Sequence, residues 1–194
     1  MAAPGNLRPE QGETKQTYDV LLGVTQVLSP NSLMQLSYSL SQSDGYLNDP
    51  YKLLSVVDAN GNPVRYAYEA RPDSRTKHAL FAQYKRFVFD RDVLDLSARF
   101  LMDDWGILSQ TLDLTYRWNF TSSLYLEPHL RYYTQTEADF YRAALFDGEE
   151  RQRTEASADP RLGRFDALTV GLKYGLDGAR LPRSRVRDYS RQVW

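Results

Sequence analysis

The sequence predicts an all-β fold: an antiparallel up-and-down meander from a transmembrane β-barrel, with about seven long strands plus a loop hairpin. Three observations support this prediction: apolar and polar residues alternate, short connections alternate with long ones, and aromatic residues collect toward the strand ends. Aromatic residues make up 13% of the 194 residues, yet no apolar run approaches the roughly 18 residues of a membrane helix. A helical membrane protein is therefore excluded, and any membrane crossing would have to be made by strands.

The alternation is clearest in residues 108–120, where apolar side chains from Leu108 to Phe120 oppose polar ones such as Asp113 and Arg117. Only Gln110 interrupts the apolar face. The same period of two predicts the other strands, which lie near residues 17–28, 32–41, 77–88, 93–102, 124–133 and 166–175. At about ten residues each, such strands are long enough to cross a bilayer when tilted.

The connections alternate in length along the chain. Short turns are predicted at 29–31, 90–92, 121–123 and 177–178, and longer connections at 42–76, 103–107 and 134–165. Within the first long connection, Asn60-Gly61 predicts a hairpin between strands at 53–57 and 64–68. The connection 134–165 is charged and is predicted to have no regular structure. Short turns at one end and longer loops at the other are typical of outer-membrane barrels.

The aromatic residues fall at two levels of the predicted apolar face. Tyr84, Trp118, Phe120 and Tyr174 collect at the turn end, and Tyr38, Phe100 and Tyr132 toward the loop end. Mainly aliphatic residues lie between them, as in the lipid-facing surface of a barrel. Because Tyr and Phe are good strand formers, β-propensity explains their number but not their position.

Composition excludes several classes of protein. Lys and Arg total 24 against 25 for Asp and Glu, so no basic face predicts nucleic-acid binding. The absence of cysteine excludes disulfides, thiolate metal sites and thiol catalysis. We expect residues 1–15 to be a flexible segment, 16–180 a partial outer-membrane barrel, and 181–194 a basic disordered tail. No signal peptide is recognisable in residues 1–16, so we expect an exported protein to have its leader outside this chain.

Charged residues repeat on the polar face of three consecutive strands. Folding about Asp90, Gly106 and Ser122 predicts two rows of alternating charge across the sheet. The rows are Lys85–Asp95–Arg117–Glu127 and Arg99–Asp113–Arg131, with His129 beside the second. Opposite charges across a strand pair contribute roughly 0.2–1 kcal/mol each. This network has two interpretations: a filling of the barrel interior that fixes strand register, or a selectivity lining for a polar pore.

Signs of catalysis are weak, and we predict neither an enzyme nor a cofactor. His129 lies beside Glu127 and Arg131, so an acid–base role in a hydrolase is conceivable, but no serine is marked as its nucleophile. No pair of histidines has ligand spacing, and no Gly-rich phosphate loop is present. The segment 58–62 is similar to part of a calcium loop but lacks the remaining ligands and the distal Glu, so a turn is the preferred interpretation. The segment 103–106 could bind a cation at the loop rim, although a polar tight loop explains it equally well.

Five blocks carry a resemblance to a known family: Ser43–Lys52, Arg71–His78, Asp103–Gly106, Tyr125–Tyr133 and Phe165–Gly175. Together they resemble the family catalogued as domain of unknown function 3570. The resemblance implies an exported barrel protein of the Gram-negative outer membrane, in contact with outer-membrane lipid. It carries no catalytic residue over to this chain. Family members are longer, with earlier strands and a closing strand where this chain has its arginine-rich tail.

Seven strands are an odd number, whereas single-chain bacterial barrels have an even number. We therefore expect the barrel to be completed by missing strands of the full-length chain or by other barrel chains. The alternative to a pore, scaffold or assembly partner in the cell outer membrane is a soluble periplasmic β-domain. Such a domain would act as a binding or interaction module and bury its apolar face against a second sheet or a partner.

Overall fold

The structure, a computed structural model, describes residues 14–49, 51–89 and 91–176. The predicted turn at 177–178, the tail 181–194 and residues 1–13 of the N-terminal segment lie outside the described residues. The described part contains ten strands. They are β1 (Lys15–Ser29), β2 (Ser32–Gly45), β3 (Leu53–Val57), β4 (Pro63–Tyr68), β5 (Ser74–Val88), β6 (Asp92–Asp103), β7 (Leu108–Asn119), β8 (Leu124–Gln135), β9 (Leu145–Phe146) and β10 (Phe165–Leu176).

Seven of these strands form a large sheet in the order β1-β2-β5-β6-β7-β8-β10, and every neighbouring pair is antiparallel. The prediction of an antiparallel meander of seven long strands is confirmed. The predicted strand ends differ most at β2, which continues to Gly45 rather than residue 41. Because β1 and β10 lie at the two edges, the sheet is open in the part of the chain that the structure describes.

The short turns end the strands through local hydrogen bonds. At the turn between β1 and β2, the Ser29 hydroxyl accepts a hydrogen bond from the Asn31 amide at 3.3 Å. Between β7 and β8, the Thr121 hydroxyl accepts from the amides of Ser123 and Leu124 at 3.2 and 3.0 Å. Side chains of this kind compete with the strand ladder and favour turns. The register of each hairpin follows from its turn.

The strand register places the alternate residues on two faces of the large sheet. The apolar face contains cross-strand rows, one of which runs Met34–Tyr84–Leu96–Leu114–Leu130–Val170. Trp118 and Tyr174 lie in a row nearer the short turns, and Tyr38 and Phe100 in a row nearer the loops, as predicted. Tyr84 and Tyr132 do not lie at the ends, because the register places them in rows with Leu114 and Leu112.

No buried hydrophobic residue of the described chain comes from the seven long strands. On the apolar face, Leu112 is 58% exposed, Trp118 50% and Val170 75%. No covering layer of the described protein lies over this face. A sheet normally buries one face against another element, so this surface is unpartnered within the described structure.

The buried hydrophobic residues belong instead to a second region at the loop end of the sheet. We call residues 46–49, 51–73, 104–107 and 136–164 the loop region. Its first part contains the β3–β4 hairpin, confirming the prediction from Asn60-Gly61. The prediction that 134–165 lacks regular structure is wrong: β9 pairs in parallel with β3, and two short 3-10 turns follow, at Glu149–Arg151 and Pro160–Leu162.

Two hydrophobic clusters stabilise the loop region. The first joins the hairpin to the second loop and contains Leu54, Val56, Ala67, Leu145 and Ala156. The second joins that loop to the 103–107 turn and contains Trp105, Ile107, Ala138, Phe140 and Leu162. Each segment contributes only one or two of these residues, so no run is long enough for the alternation that predicted the long strands to reveal them.

Candidate functional site

The candidate site is the polar face of the large sheet, where all eight residues of the predicted charge network lie. At one side of it, Lys85 and Asp95 face each other across β5 and β6, as predicted. Their ion pair has an Nζ–Oδ2 distance of 2.8 Å. Gln83 donates from Nε2 to the other oxygen of Asp95 at 2.7 Å. Both oxygens of this carboxylate therefore have a partner.

Asp113 is the centre of a second group. It lies opposite Arg131 in the register of β7 and β8, which confirms that predicted pair. Arg131 donates from Nε to Oδ2 at 2.5 Å, and His129 Nε2 lies 2.8 Å from Oδ1. One carboxylate thus contacts both a guanidinium group and an imidazole ring. The contact also fixes the orientation of the imidazole ring, which a bare strand position would leave free.

Two other predicted pairs, Asp95–Arg117 and Arg99–Asp113, are wrong. In the β6–β7 hairpin Ser97 lies opposite Asp113, Arg99 opposite Thr111, and Val93 opposite Arg117. The hairpin is centred on Trp105, one residue before the predicted centre, and a shift of one residue in the centre moves the register by two. The side chains therefore keep the predicted face but change their partners.

The cause of the shift is the side chain of Asp103. Its Oδ1 accepts hydrogen bonds from the amides of Trp105 and Ile107 at 3.1 and 2.9 Å, which closes a five-residue loop. Gly106 adopts a positive φ of 84° in this loop, and a Cβ there would come within 2.4 Å of the Asp139 carboxylate. Glycine is therefore the residue this position accommodates.

At the other side of the polar face, the predicted Glu127 has a partner that the sequence did not reveal. Lys173 on β10 lies 3.4 Å from Glu127, measured from Nζ to Oε1. The Arg117 guanidinium lies 3.7 Å above the centre of the Tyr125 ring. The predicted network ended at β8 because the 134–165 connection separates β10 from it, and a long loop does not fix a register.

Between these groups, β5 to β8 enclose a hollow of about 270 Å³ that opens on the polar face. It is lined by Phe81, Ser97, Arg99, Thr111, Asp113 and Arg131. Arg99 lies over the Phe81 ring, with 5.6 Å between the guanidinium carbon and the ring centre. Among the described residues, no carboxylate forms an ion pair with Arg99.

The hydrolase hypothesis centred on His129 gains no support from this geometry. Asp113 is the side chain that contacts the ring, and no described hydroxyl forms a hydrogen bond with it. In the acidic segments, Asp58 accepts from the amides of Asn60 and Asn62, and these hydrogen bonds, the largest from Asn62, lower its pKa. Both segments are turns, and the described residues contain no group of three or more side chains able to ligate a metal.

Comparison with known proteins gives the family. A family model described as "Protein of unknown function (DUF3570)" matches residues 2–189. The chain belongs to this family. The resemblance stated from the five sequence blocks is therefore confirmed. No curated protein and no solved structure matches the chain.

Three of the five blocks of this DUF3570 protein meet at the loop end of the sheet. Arg75 from the second block forms an ion pair with Asp103 from the third, with an Nη2–Oδ2 distance of 2.5 Å. The Arg75 guanidinium also lies 4.3 Å from the centre of the Trp105 ring. From the first block, Asn48 accepts a hydrogen bond from the Arg71 amide at 2.6 Å. These contacts bring polar residues of separate blocks together at one end of the sheet.

A buried ionic cluster lies next to these contacts and was not predicted from the sequence. Glu69, which is 1% exposed, accepts from the Ser157 hydroxyl at 2.6 Å and from Arg71 Nη2 at 3.0 Å. The same Arg71 nitrogen lies 3.0 Å from Asp159. Hydrogen bonds from Arg161 hold the pKa of Asp159 well below its usual range. All these residues lie in loops, where sequence alone does not show which charges become buried.

Proposed function

We propose that the large sheet is part of the wall of an outer-membrane β-barrel, with its apolar face against lipid and its polar face toward an aqueous interior. The observation that carries the proposal is the distribution of burial. Hydrophobic residues are buried in the loop region, whereas those of the long strands remain exposed on one continuous face. Exposed apolar surfaces of this extent mark contact with a membrane or a partner.

Strand length supports a membrane-spanning role. The long strands have 12 to 15 residues. At about 3.3 Å per residue, a 12-residue strand tilted by about 45° rises roughly 28 Å, close to the hydrocarbon thickness of a bilayer. No helix in the described part of the chain is long and apolar enough to cross a membrane. The polar face, with its paired charges, suits contact with water rather than lipid.

Closure of the barrel requires further strands, because an open edge cannot remain unpaired in lipid. Six antiparallel pairings in succession make the edge strands β1 and β10 run in the same direction. A barrel made only of antiparallel pairs therefore needs an odd number of additional strands. We propose that they come from other parts of the full-length protein or from other barrel chains. The role that follows is structural, a pore or an assembly partner, without catalysis.

Two neighbouring substitutions test the orientation of the sheet. Leu114 lies between Leu96 and Leu130 on the apolar face, whereas Thr115 lies between Asp95 and His129 on the polar face. Arginine on the lipid face at the midplane costs about 2–4 kcal/mol. We expect Leu114→Arg to prevent stable insertion and Thr115→Arg to permit it.

The measurement is membrane fractionation of the full-length protein, followed by extraction with carbonate or urea. The proposal predicts that wild type and Thr115→Arg stay in the membrane fraction, while Leu114→Arg is extracted. Extraction of the wild type would instead favour a soluble periplasmic module with a covered apolar face. Equal behaviour of the two variants would also overturn the proposed orientation. Planar-bilayer conductance of the inserted protein then separates an open pore from a plugged barrel.

A further inference from the structure

We infer that the hollow on the polar face is a binding site for a small oxyanion, such as inorganic phosphate or a small carboxylate. The hollow extends over four strands, β5 to β8, at the level of Arg99 and Arg131. The inference deepens the proposed function and rests on it for its setting, since it places the site on the water-facing interior of the wall. The binding chemistry itself follows from the hydrogen-bond capacity of the lining.

That capacity consists mainly of donors. Arg131 binds Asp113 through Nε, which leaves both of its terminal nitrogens without a partner among the described residues. Arg99 contacts the Phe81 ring but no described acceptor. The hydroxyls of Ser97 and Thr111 likewise have no hydrogen-bond partner in the described part of the chain. A ligand that displaces water from these donors would have to supply acceptors, as an oxyanion does.

The acceptor side of the lining is already occupied. Among the described residues, Asp113 is the only carboxylate that lines the hollow, and its two oxygens accept from Arg131 Nε and contact His129 Nε2. Two guanidinium groups therefore face one engaged carboxylate, which gives the hollow an excess of positive charge. Arginine recognises phosphate and carboxylate through paired N–H donors.

The backbone geometry allows the two arginines to reach one ligand. Arg99 lies on β6 and Arg131 on β8, so the two are separated laterally by about 10 Å, or two strand spacings. They occupy neighbouring rows, since Thr111 faces Arg99 and Asp113 faces Arg131. At about 270 Å³ the hollow is slightly smaller than pockets for drug-sized ligands, which begin near 300 Å³. It therefore fits a small anion.

Phosphate titration of the full-length protein, folded in a non-ionic detergent that contains no phosphate, tests the inference. Isothermal calorimetry at low salt should show one phosphate site per chain, weakened by added chloride. Arg99→Gln should weaken phosphate binding about tenfold, because it removes a charge-assisted contact. The matched control is Lys85→Gln, since Lys85 lies on the same face but is paired with Asp95 outside the hollow. This control should change the affinity by less than about twofold.

Unchanged binding in Arg99→Gln, equal losses in both variants, or no binding by the wild type would overturn the site. If Arg99→Gln does not fold, Thr111→Val replaces it, because it removes a donor and keeps the charge. That variant should weaken binding about threefold, and unchanged binding would again overturn the site. Failure of the two proposals is distinguishable: phosphate binding with extraction of the wild type by carbonate would leave the site and overturn the barrel. Membrane insertion without phosphate binding would overturn the site and leave the barrel.

Discussion

Replacing Glu69 with alanine should open the loop region while leaving the large sheet paired. Both oxygens of Glu69 are used, since Oε1 accepts from the Asp49 amide and Oε2 accepts from Ser157 and Arg71. Arg71 Nε also lies 2.8 Å from Oε1, although its N–H is not directed at that oxygen. The alanine variant leaves a largely buried guanidinium with Asp159 as its remaining carboxylate.

The size of the effect follows from the burial of this pair. Removing one partner of a buried ion pair costs about 3–5 kcal/mol, because the other charge remains in a poorly solvated position. Since 1.4 kcal/mol corresponds to a factor of ten, local opening should become about 100-fold or more as frequent. Amide hydrogen exchange reports such opening directly. Suitable probes are the amides of Ala70 and Ala156, which bond to each other's carbonyl oxygens at 3.0 and 2.9 Å.

The matched control is Arg151→Ala in the same loop region. Arg151 is 81% exposed and lies 3.8 Å from Glu150, and an exposed pair of this kind contributes little. Exchange at Ala70 and Ala156 in this control should stay close to wild type. Exchange in Glu69→Ala within about threefold of wild type would refute the reasoning. So would an equal loss of protection in the β6–β7 ladder, because the large sheet should not depend on this cluster.

Three further predictions follow from the geometry. Gly106→Ala should destabilise the 103–107 turn by about 1–3 kcal/mol, seen as faster exchange of the amide that follows it, because of its positive φ and lack of space for Cβ. Asp113→Arg and Arg131→Asp should each lower the folded fraction measured on semi-native gels, and combining the two changes should restore part of it. Asp113→Arg with Arg99→Asp should restore none, and rescue by that second swap would contradict the register. For Asp159, hydrogen bonds from Arg161 hold the folded pKa below the ordinary value of 3.8. The stabilisation that Asp159 contributes is therefore present above about pH 4 and is lost as the pH falls below that value. Amide hydrogen exchange from pH 6 to pH 3, corrected for intrinsic rates, can measure this loss.

The long strands were predictable because one local property determines them. A strand with one apolar and one polar face has a period of two, and that period persists over ten or more residues in β7 and its neighbours. The short turns then fix the pairing, so Lys85 opposite Asp95 and Asp113 opposite Arg131 followed from counting residues about a turn. Where a turn has two or three residues, counting residues about the turn predicts the strand register correctly.

Counting fails at the longer 103–107 loop. The 103–107 loop is centred on Trp105 because Asp103 binds two amides and the Trp105 side chain packs into a core from the 134–165 connection. That core is formed by residues distant in sequence, such as Phe140, and no local pattern marks them. The same non-local pairing explains why Lys173 opposite Glu127 was missed.

The two regions of the structure are stabilised in opposite ways, and this difference bears on how the protein folds. The loop region buries its own hydrophobic clusters and a satisfied ionic cluster, so its packing needs no membrane. The large sheet has its backbone paired but its apolar side chains exposed, so its side-chain burial depends on what surrounds it. Because β2, β5, β6, β7 and β8 all end at the loop region, ordering of the sheet brings together the loop segments. In the proposed barrel, insertion of the sheet should therefore precede packing of the loop region.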